Sequence, residues 1–352
     1  MNREPADELD ARLIKPWLFE NVPGFGGLRS IERLGGGQSN PTFRLDADSG
    51  RYALRAQPPG ELLRGAHQVD REFRVMRALE GSTVPVPLML ALCDDPQASP
   101  IGRKFLVMEL LDGESHHDPA LPGRSPDERA AIFDAMNATL ATLHEIDPAA
   151  VGLSEFGRPG DYFARQLAVW TRQYRATERR PIEAMDELIA RLEAHPIPAD
   201  GAVSIVHGDW RLDNLMFESG GSRVIGVLDW ELSTLGHPMA DLAYQLMAWR
   251  LPHDGVFTGL GGLDRAALGL PSDDAYVARY CERRGVAAPD WLEVAVAHAA
   301  FRFAAILQGV FARSIAGNAS DPMRARQLGR AVPGLAEGAL ASLDAAGLTR
   351  TA

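Results

Sequence analysis

The spacing of apolar residues changes near Asp112-Gly113. Before that point, apolar and polar residues alternate in short runs, as in Thr42-Phe43-Arg44-Leu45 and Arg51-Tyr52-Ala53-Leu54-Arg55, which flank a turn-forming segment. This pattern predicts a β-hairpin, and Phe105-Leu106-Val107-Met108 predicts a further strand. After that point most apolar residues recur at helical spacing. Strands first and helices later favour an α+β protein over a doubly wound sheet.

Helical signals are found on both sides of this change. Val69, Phe73, Met76 and Leu79 recur at spacings of four and three, which places them on one buried helix face. Ser125-Pro126-Asp127-Glu128 offers an N-cap serine, a first-turn proline and a capping-box glutamate, so a helix is predicted to begin there. Further helices are predicted over residues 162–176 and 182–194 and over most of the chain after Pro238, including the apolar segment Trp291–Ala312.

Length and composition limit the functions open to the chain. With 352 residues, 46% of them hydrophobic, it can bury a sizeable core, most naturally as two lobes, which we place at residues 1–111 and 112–352. The formal net charge of −11 disfavours non-specific binding to nucleic acid or an anionic membrane. Cys93 and Cys281 form no CxxC pair, so no disulfide framework or structural zinc site is predicted. The first residues are polar and no run approaches 18 apolar residues, so we expect a cytoplasmic protein that is neither exported nor membrane-spanning.

Two acidic motifs follow β-rich runs: Val206-His207-Gly208-Asp209-Trp210-Arg211-Leu212-Asp213-Asn214-Leu215 and Leu228-Asp229-Trp230-Glu231. Phosphoryl transfer needs an acceptor hydroxyl held in line and a metal that gathers the triphosphate oxygens. The Asp209 carboxylate can accept the hydroxyl proton, while the Asn214 amide oxygen and the Asp229 carboxylate can bind Mg²⁺. Taken singly, His-Gly-Asp can be a plain strand-to-turn transition and Asp229 a solvated carboxylate. Their order and spacing together favour a phosphotransferase.

A glycine-rich segment precedes the first strand of the predicted hairpin. Glycines let backbone N–H groups approach phosphate oxygens closely. We therefore predict that this loop contacts nucleotide phosphates through Gly35, Gly36, Gly37, Gln38, Ser39 and Asn40. The chain has no Walker A motif GxxxxGK[ST], and Gly24-Phe25-Gly26-Gly27 breaks the GxGxxG spacing at its last position. The two common alternative nucleotide-binding folds therefore lack support.

At residues 207–214 and 229–231 the chain resembles the aminoglycoside phosphotransferase and choline kinase branch of the protein-kinase-like fold. That branch typically carries H-G-D-x-x-x-x-N followed by a D-W or D-x-E strand end, and protein kinases carry the related H-R-D-x-x-x-x-N. The resemblance covers most of the chain and implies a bilobal fold with a small β-rich N-lobe and a larger, mainly helical C-lobe. It also implies that Asp209 is the catalytic base, that Arg211 lies near the transferring phosphate, and that Asn214 and Asp229 bind Mg²⁺.

The same resemblance assigns nucleotide contacts to the N-lobe. In protein kinases a strand lysine contacts the α- and β-phosphates and pairs with a helix glutamate, and Arg55 and Glu72 occupy these positions here. Arginine keeps the charge but presents a wider planar fork, so its contacts need not match those of lysine. A surface ion pair with a neighbouring arginine is the alternative for Glu72. The backbone groups of Glu109 and Leu111 are implied to bind the base of ATP, from which GTP is not distinguished.

Longer stretches narrow the resemblance. Gly37–Thr42, Arg71–Val75 and Val227–Gly236 look like the phosphotransferase-type domain that is fused to some acyl-CoA dehydrogenases and free-standing in bacteria. This implies an acceptor linked to fatty-acid chemistry, such as a hydroxyacyl-CoA. Four arginines cluster on and just after a predicted helix: Arg172, Arg175, Arg179 and Arg180. They form either a site for CoA phosphates or a solvated surface.

Two alternatives stay open. The first is a nucleotide-binding pseudokinase, for which Arg55 is the only supporting feature. The second is an antibiotic phosphotransferase, whose cationic sugar acceptors agree with the net charge of −11.

Overall fold

The computed structural model describes residues 9–35, 40–60, 67–158, 160–317 and 321–349. Within these ranges it contains nine strands and eleven α-helices. Four members of the predicted glycine loop, Gly36, Gly37, Gln38 and Ser39, lie outside the described residues.

The described residues form two compact units. The first contains the residues up to Ser115, joined by Ala149–Leu153 and Asn214–Ser233. The second contains His116–Pro148, Ser154–Asp213 and the described residues from Thr234 onward. Residues 214–233 therefore group by their contacts with the N-terminal residues. The two lobes at residues 1–111 and 112–352 stay a prediction.

The first unit is built on a five-stranded antiparallel sheet in the order β1-β2-β3-β5-β4. Its strands are β1 (Leu28–Arg33), β2 (Thr42–Ala47), β3 (Gly50–Ala56), β4 (Met89–Cys93) and β5 (Phe105–Glu109). The predicted hairpin is confirmed, since β2 pairs with β3 from Thr42 opposite Arg55 to Ala47 opposite Gly50. Phe43, Leu45 and Leu54 join the apolar core, to which α1 (Ala11–Asn21) adds Ile14 and Leu18.

The helix α2 (Val69–Leu79) differs from its prediction in one respect. Val69, Met76 and Leu79 are buried as expected, but Phe73 is only partly buried. Glu72 and Val75 are buried in addition. The buried face is thus turned toward Glu72, whose carboxylate has a buried cationic partner described below.

A short hairpin, β7 (Leu215–Phe217) and β8 (Val224–Val227), belongs to the first unit. Glu114 and Phe217 exchange two backbone hydrogen bonds of 2.8 and 2.9 Å. A Cβ at Gly226 would overlap the end of the Leu111 side chain, so glycine lets Leu111 pack closely against β8. These contacts explain why this hairpin groups with the N-terminal residues.

The second unit is mainly helical. Its strands β6 (Ser204–Val206) and β9 (Thr234–Gly236) form an antiparallel pair. Its helices are α3 (Pro126–Glu145), α4 (Tyr162–Thr177), α5 (Glu183–Ala194), α6 (Met239–Arg250), α7 (Arg265–Leu268), α8 (Asp273–Arg284), α9 (Leu292–Ile315), α10 (Pro322–Arg330) and α11 (Val332–Ala345). The helices predicted over 162–176 and 182–194 are α4 and α5.

The long apolar helix α9 lies at the centre of this unit. It packs against α4, α6, α10 and α11. Among the described residues it is the one helix long and apolar enough to cross a membrane, with a mean hydropathy of 1.6, yet 67% of that apolar window is buried inside the protein. Its apolar character is therefore explained by core packing. A cytoplasmic location stays a prediction from the sequence.

The capping box predicted at the start of α3 is confirmed. The Ser125 hydroxyl accepts a hydrogen bond from the Glu128 N–H at 3.3 Å, and the Glu128 carboxylate accepts one from the Ser125 N–H at 2.7 Å. Two N–H groups without intrahelical partners are thereby satisfied.

We expect Ser125→Ala to lower the free energy of unfolding by about 1 kcal/mol, because the first turn of α3 loses its acceptor. Urea denaturation measures this loss. Ser125→Asp, which keeps an acceptor at the N-cap, is the matched control and should stay within a few tenths of a kcal/mol of wild type. Equal losses in both variants would contradict the capping role.

Candidate active site

A buried arginine joins two carboxylates in the first unit. Arg55 on β3 is 8% exposed, and its Nε donates to the Glu72 carboxylate on α2 at 2.8 Å. Its Nη2 donates to Asp229 Oδ1 at 2.5 Å. The sequence placed these three residues among the candidate nucleotide and metal contacts, and the structure brings them together in one ion-pair network. The surface alternative for Glu72 is wrong, because its side chain is 2% exposed and its partner is Arg55.

Burial and charge oppose each other in this network. Burial raises the pKa of Glu72 to about 7, and the nearby Arg55 opposes that shift. Burial also disfavours the charged guanidinium, but Glu72, Asp229 and Glu231 outweigh that effect and raise the pKa of Arg55, which stays protonated. One cation is thus surrounded by three carboxyl groups, an excess of acid that favours binding of a further cation.

The two predicted metal ligands lie at the same end of the β7–β8 hairpin. Leu215 is opposite Val227, and beyond this pair the Leu228 N–H donates to the Asn214 carbonyl at 2.8 Å. Asp229 follows directly with a φ of 62°, a left-handed conformation that is uncommon for residues other than glycine. This turn lets the Asp229 carboxylate reach Arg55.

The donor set suits Mg²⁺. Carboxylate and amide oxygens are the hard ligands that this ion prefers, and it usually keeps several waters or phosphate oxygens as well. Within the described ranges, no group of three or more His, Cys, Asp and Glu side chains is arranged to hold a metal ion. A magnesium ion bound by Asn214 and Asp229 would therefore take its other ligands from nucleotide and water.

The first unit also contains the predicted nucleotide contacts at the two ends of the glycine loop and at the residues predicted to bind the base. Asn40 is fully buried, and its Nδ2 donates to Glu231 Oε2 at 3.1 Å, so its side chain anchors the end of the glycine loop. Gly35 has open space where a Cβ would stand. The Glu109 N–H already donates to the Leu88 carbonyl at 2.9 Å. The Leu111 N–H makes no hydrogen bond within the described part of the chain, so it is the better donor for a base.

In the second unit a buried carboxylate holds the loop that precedes Asp209. Asp241 on α6 is fully buried and accepts hydrogen bonds from the N–H groups of His207 at 2.7 Å and Gly208 at 2.8 Å. It also lies 3.2 Å from His144 Nε2, whose ring is bonded through Nδ1 to the Tyr280 hydroxyl at 2.6 Å. Burial lowers the pKa of His144, while Asp241 opposes this shift. The position of Asp241 shortly after Asp229 in the sequence favours a buried structural hydrogen-bonding group over a catalytic one, and its burial and hydrogen bonds agree with that role.

Asp209 has a partner on each side. Arg211 Nε lies 3.1 Å from Asp209 Oδ1, and Arg211 Nη2 lies 3.1 Å from Asp213 Oδ2. The Tyr244 hydroxyl on α6 hydrogen-bonds to Asp209, and burial together with this carboxylate raises the pKa of Tyr244. Because the phenol stays protonated, it donates to Asp209 and fixes the orientation of the carboxylate. The sequence motifs did not predict a role for Tyr244. Its position three residues after Asp241 on one helix places both side chains on the same helix face, and this spacing was the available signal.

One member of the predicted arginine cluster is paired within the protein. Arg175 is paired with Glu178 at 3.2 Å and with Asp186 at 2.5 Å. Arg172 lines a cleft of about 470 Å³ between α4 and α5. The charge of Arg175 is therefore already paired within the protein, which makes this residue a weaker candidate for binding a phosphate.

Comparisons with known proteins decide the family. The model of the family described as "Phosphotransferase enzyme family" matches residues 30–296, from β1 into α9. The chain belongs to this phosphotransferase family. A crystal structure of a provisionally assigned aminoglycoside phosphotransferase from Ralstonia eutropha JMP134 is 43% identical, with a TM-score of 0.85, and the match covers 98% of this chain and 100% of that one.

Two further comparisons bear on the fold and on the wider family. Acyl-CoA dehydrogenase family member 10 of Mus musculus is 44% identical over 302 residues, which are 86% of this chain and 28% of the mouse protein. The chain thus spans less than a third of that relative's length. A thermostable mutant of aminoglycoside phosphotransferase APH(4)-Ia, in ternary complex with ADP and hygromycin B, has a TM-score of 0.62 at 14% identity, covering 93% and 97% of the two chains. The predicted protein-kinase-like fold and the resemblance to a domain of acyl-CoA dehydrogenases are confirmed.

We expect Asp241→Asn to lower the free energy of unfolding by roughly 1–3 kcal/mol, because the amide NH₂ would face a backbone N–H and leave a buried donor unsatisfied. Urea denaturation measures the loss, and amide exchange at Gly208 should quicken. Asp200→Asn is the matched control: the Asp200 side chain is 49% exposed and pairs with His237, so its loss should stay below about 1 kcal/mol. An unchanged stability of Asp241→Asn would show that Asp241 does not anchor the loop.

Proposed function

We propose that this protein transfers the γ-phosphoryl group of ATP, with Mg²⁺, to the hydroxyl of a small molecule. One structural feature supports this reaction above all: the buried network in which Arg55 joins Glu72 and Asp229. Family membership supplies the reaction class. The fold neighbour that binds ADP and hygromycin B together supports a nucleotide and a small-molecule acceptor as the two substrates.

On the nucleotide side, each residue has a chemistry that suits its proposed contact. Arg55 offers a fixed positive charge for phosphate oxygens, and Glu72 holds its guanidinium in place at 2.8 Å. The carbonyl of Glu109 offers an acceptor to the base, and the N–H of Leu111, which has no partner among the described residues, offers a donor. Bound Mg²⁺ would neutralise charge on the phosphate oxygens and hold them in a reactive geometry. Asn214 and Asp229 would hold that ion.

On the acceptor side, Asp209 accepts the proton of the attacking hydroxyl. A bond forms between the acceptor oxygen and the γ-phosphorus, the bond from that phosphorus to the β-phosphate bridging oxygen breaks, and ADP leaves. Tyr244 and Arg211 hold the Asp209 carboxylate by hydrogen bonds and so orient it before transfer. Arg211 is in addition close enough in sequence and in space to Asp209 to stabilise charge on the transferring group.

We propose a hydroxyacyl-CoA or a related hydroxy acid as the acceptor. The naming of a 44% identical relative as an acyl-CoA dehydrogenase family member supports this choice. An aminoglycoside is the second candidate, favoured by the hygromycin B complex of the fold neighbour and by the net charge of −11. The pseudokinase alternative rests on Arg55 alone, and the Arg55–Glu72 ion pair weakens it, because the arginine keeps the expected partner.

We expect Asp209→Asn to lower kcat by about 10²–10⁴-fold, because the amide cannot accept the hydroxyl proton. Steady-state transfer from labelled ATP measures kcat, and equilibrium titration should show nucleotide affinity close to wild type. Asp127→Asn, an exposed carboxylate on α3, is the control and should leave both quantities unchanged. Turnover of Asp209→Asn at the wild-type rate would exclude Asp209 as the base.

We expect Asp229→Ala to weaken binding of the Mg²⁺–ATP complex by more than about tenfold, or roughly 1.4 kcal/mol, because one metal ligand is lost. Calorimetric titration with and without Mg²⁺ measures this effect. Asp112→Ala removes another carboxylate of the first unit, one that is 83% exposed and pairs with Arg51, and should bind as wild type does. Unchanged Mg²⁺ dependence in Asp229→Ala would remove Asp229 from the ligand set.

The acceptor class is tested by a transfer screen with labelled ATP over hydroxyacyl-CoAs, free hydroxy acids, amino alcohols and aminoglycosides. We expect transfer to the acyl compounds. Transfer to aminoglycosides alone would favour the second candidate, and Mg²⁺–ATP binding without transfer to any compound would favour the pseudokinase.

A further inference from the structure

Two polar residues interrupt the apolar helix α9 on one face. His298 and Arg302 are four residues apart, so their side chains lie on the same side of the helix. The Arg302 guanidinium carbon lies 5.6 Å from the ring centroid of Trp170 on α4 and 5.6 Å from that of Tyr244 on α6. Two aromatic rings thus hold this cation.

No acidic side chain pairs with this cation. Within the described ranges, Arg302 makes no hydrogen bond and no ion pair, and its Nε is buried without a partner. Arg250, another partly buried arginine of the second unit, contrasts with it, since Arg250 bonds to both Asp273 and Glu293. Leaving a buried donor unsatisfied is unfavourable. The donors of Arg302 are therefore available to a ligand that carries acceptor oxygens.

Tyr244 connects Arg302 to the proposed base. Its ring contacts the Arg302 guanidinium, and its hydroxyl hydrogen-bonds to Asp209. A ligand whose hydroxyl approaches Asp209 therefore has Arg302 one side chain away. Aromatic rings on two sides of the cation restrict its movement. The guanidinium therefore loses little conformational entropy when a planar acyl group binds.

A small cavity beside Arg302 is otherwise lined by apolar and neutral side chains. This cavity of about 30 Å³ is lined by Arg302, His298, Trp170 and Tyr244 together with apolar residues of α4 and α9. His298 also lines the larger cleft of about 470 Å³. Burial lowers the pKa of His298 to about 4, against the opposing effect of Asp161, so this histidine is neutral at physiological pH. Among the residues that line the small cavity, Arg302 is the one charged side chain, whereas the larger cleft is lined by Arg172 together with Asp161 and Glu193.

We propose that Arg302 is a specificity-determining residue that binds the acyl oxygen of a hydroxylated acyl acceptor. This inference rests on the proposed function and narrows it to acceptors with a thioester carbonyl or a carboxylate. An unpaired cation next to Tyr244 attracts such oxygens and repels the ammonium groups of an aminoglycoside.

The test compares Arg302→Gln with Arg302→Lys and with a control, Arg313→Gln, which removes an exposed arginine from the same helix. Binding of a hydroxyacyl-CoA, of the free hydroxy acid and of CoA alone is measured by calorimetry, together with kcat and KM for transfer. We expect Arg302→Gln to weaken binding of the acyl acceptors by roughly 10- to 100-fold and to raise KM, with KM for ATP unchanged. Arg302→Lys should recover part of the loss, and Arg313→Gln should bind as wild type does.

The outcomes separate the possible contacts. Loss of affinity for both acyl compounds assigns Arg302 to the acyl oxygen in general, and loss for the thioester alone assigns it to the thioester carbonyl. An equal loss for CoA alone would place the contact at the CoA phosphates and overturn the inference. Wild-type affinity in both Arg302→Gln and Arg302→Lys would overturn it as well.

Failure of the inference is distinguishable from failure of the proposed function. If the wild-type protein phosphorylates acyl acceptors and Arg302→Gln retains their KM, only the inference is wrong. If the wild-type protein binds no acyl compound but phosphorylates another alcohol, the inference and the proposed acceptor class are both wrong, while the phosphotransferase reaction stands.

Discussion

The first unit depends on a buried cation that has carboxylates from two directions. Arg55 comes from a strand, Glu72 from a helix, and Asp229 from the turn after a hairpin. Removing one partner from a buried ion pair leaves an uncompensated charge, which typically costs about 3–5 kcal/mol. The three elements are therefore held to one arrangement. The same charges serve the proposed chemistry, because the excess of carboxyl groups around Arg55 favours a divalent cation and the arginine itself favours phosphate.

The second unit uses a different device to hold its reactive group. The fully buried Asp241 accepts hydrogen bonds from the backbone N–H groups of the loop before Asp209. Tyr244 on the same helix donates a hydrogen bond to the Asp209 carboxylate. A residue whose neighbours are fixed in this way keeps its orientation without help from substrate. In the proposed reaction, such prior ordering lowers the barrier, because no reorganisation is needed at the moment of transfer.

Family and fold define the reaction more narrowly than they define the acceptor. Proteins of one fold act on many substrates, so the acceptor must be argued from the site itself. The relevant site features are the aromatic contacts of Arg302, its lack of an acidic partner among the described residues, and the neutral His298. A net charge of −11 belongs to the whole chain and does not describe the small cavity, in which Arg302 is the one charged residue of the lining.

The sequence by itself determined the local elements and the order of the motifs. The β2–β3 hairpin, the capping box at Ser125 and the strands that precede Asp209 and Asp229 all follow from patterns a few residues long, which backbone geometry decides. Only the tertiary structure decided which distant groups meet. Arg55 and Asp229 are 174 residues apart, and no periodicity reports that contact. Glu72 displaced Phe73 from the fully buried face of α2 because a buried cation from another element reached it. Arg302 gave a signal only as a charge within an apolar helix, and its two aromatic neighbours come from α4 and α6, since side chains from separate helices become neighbours only when the chain packs.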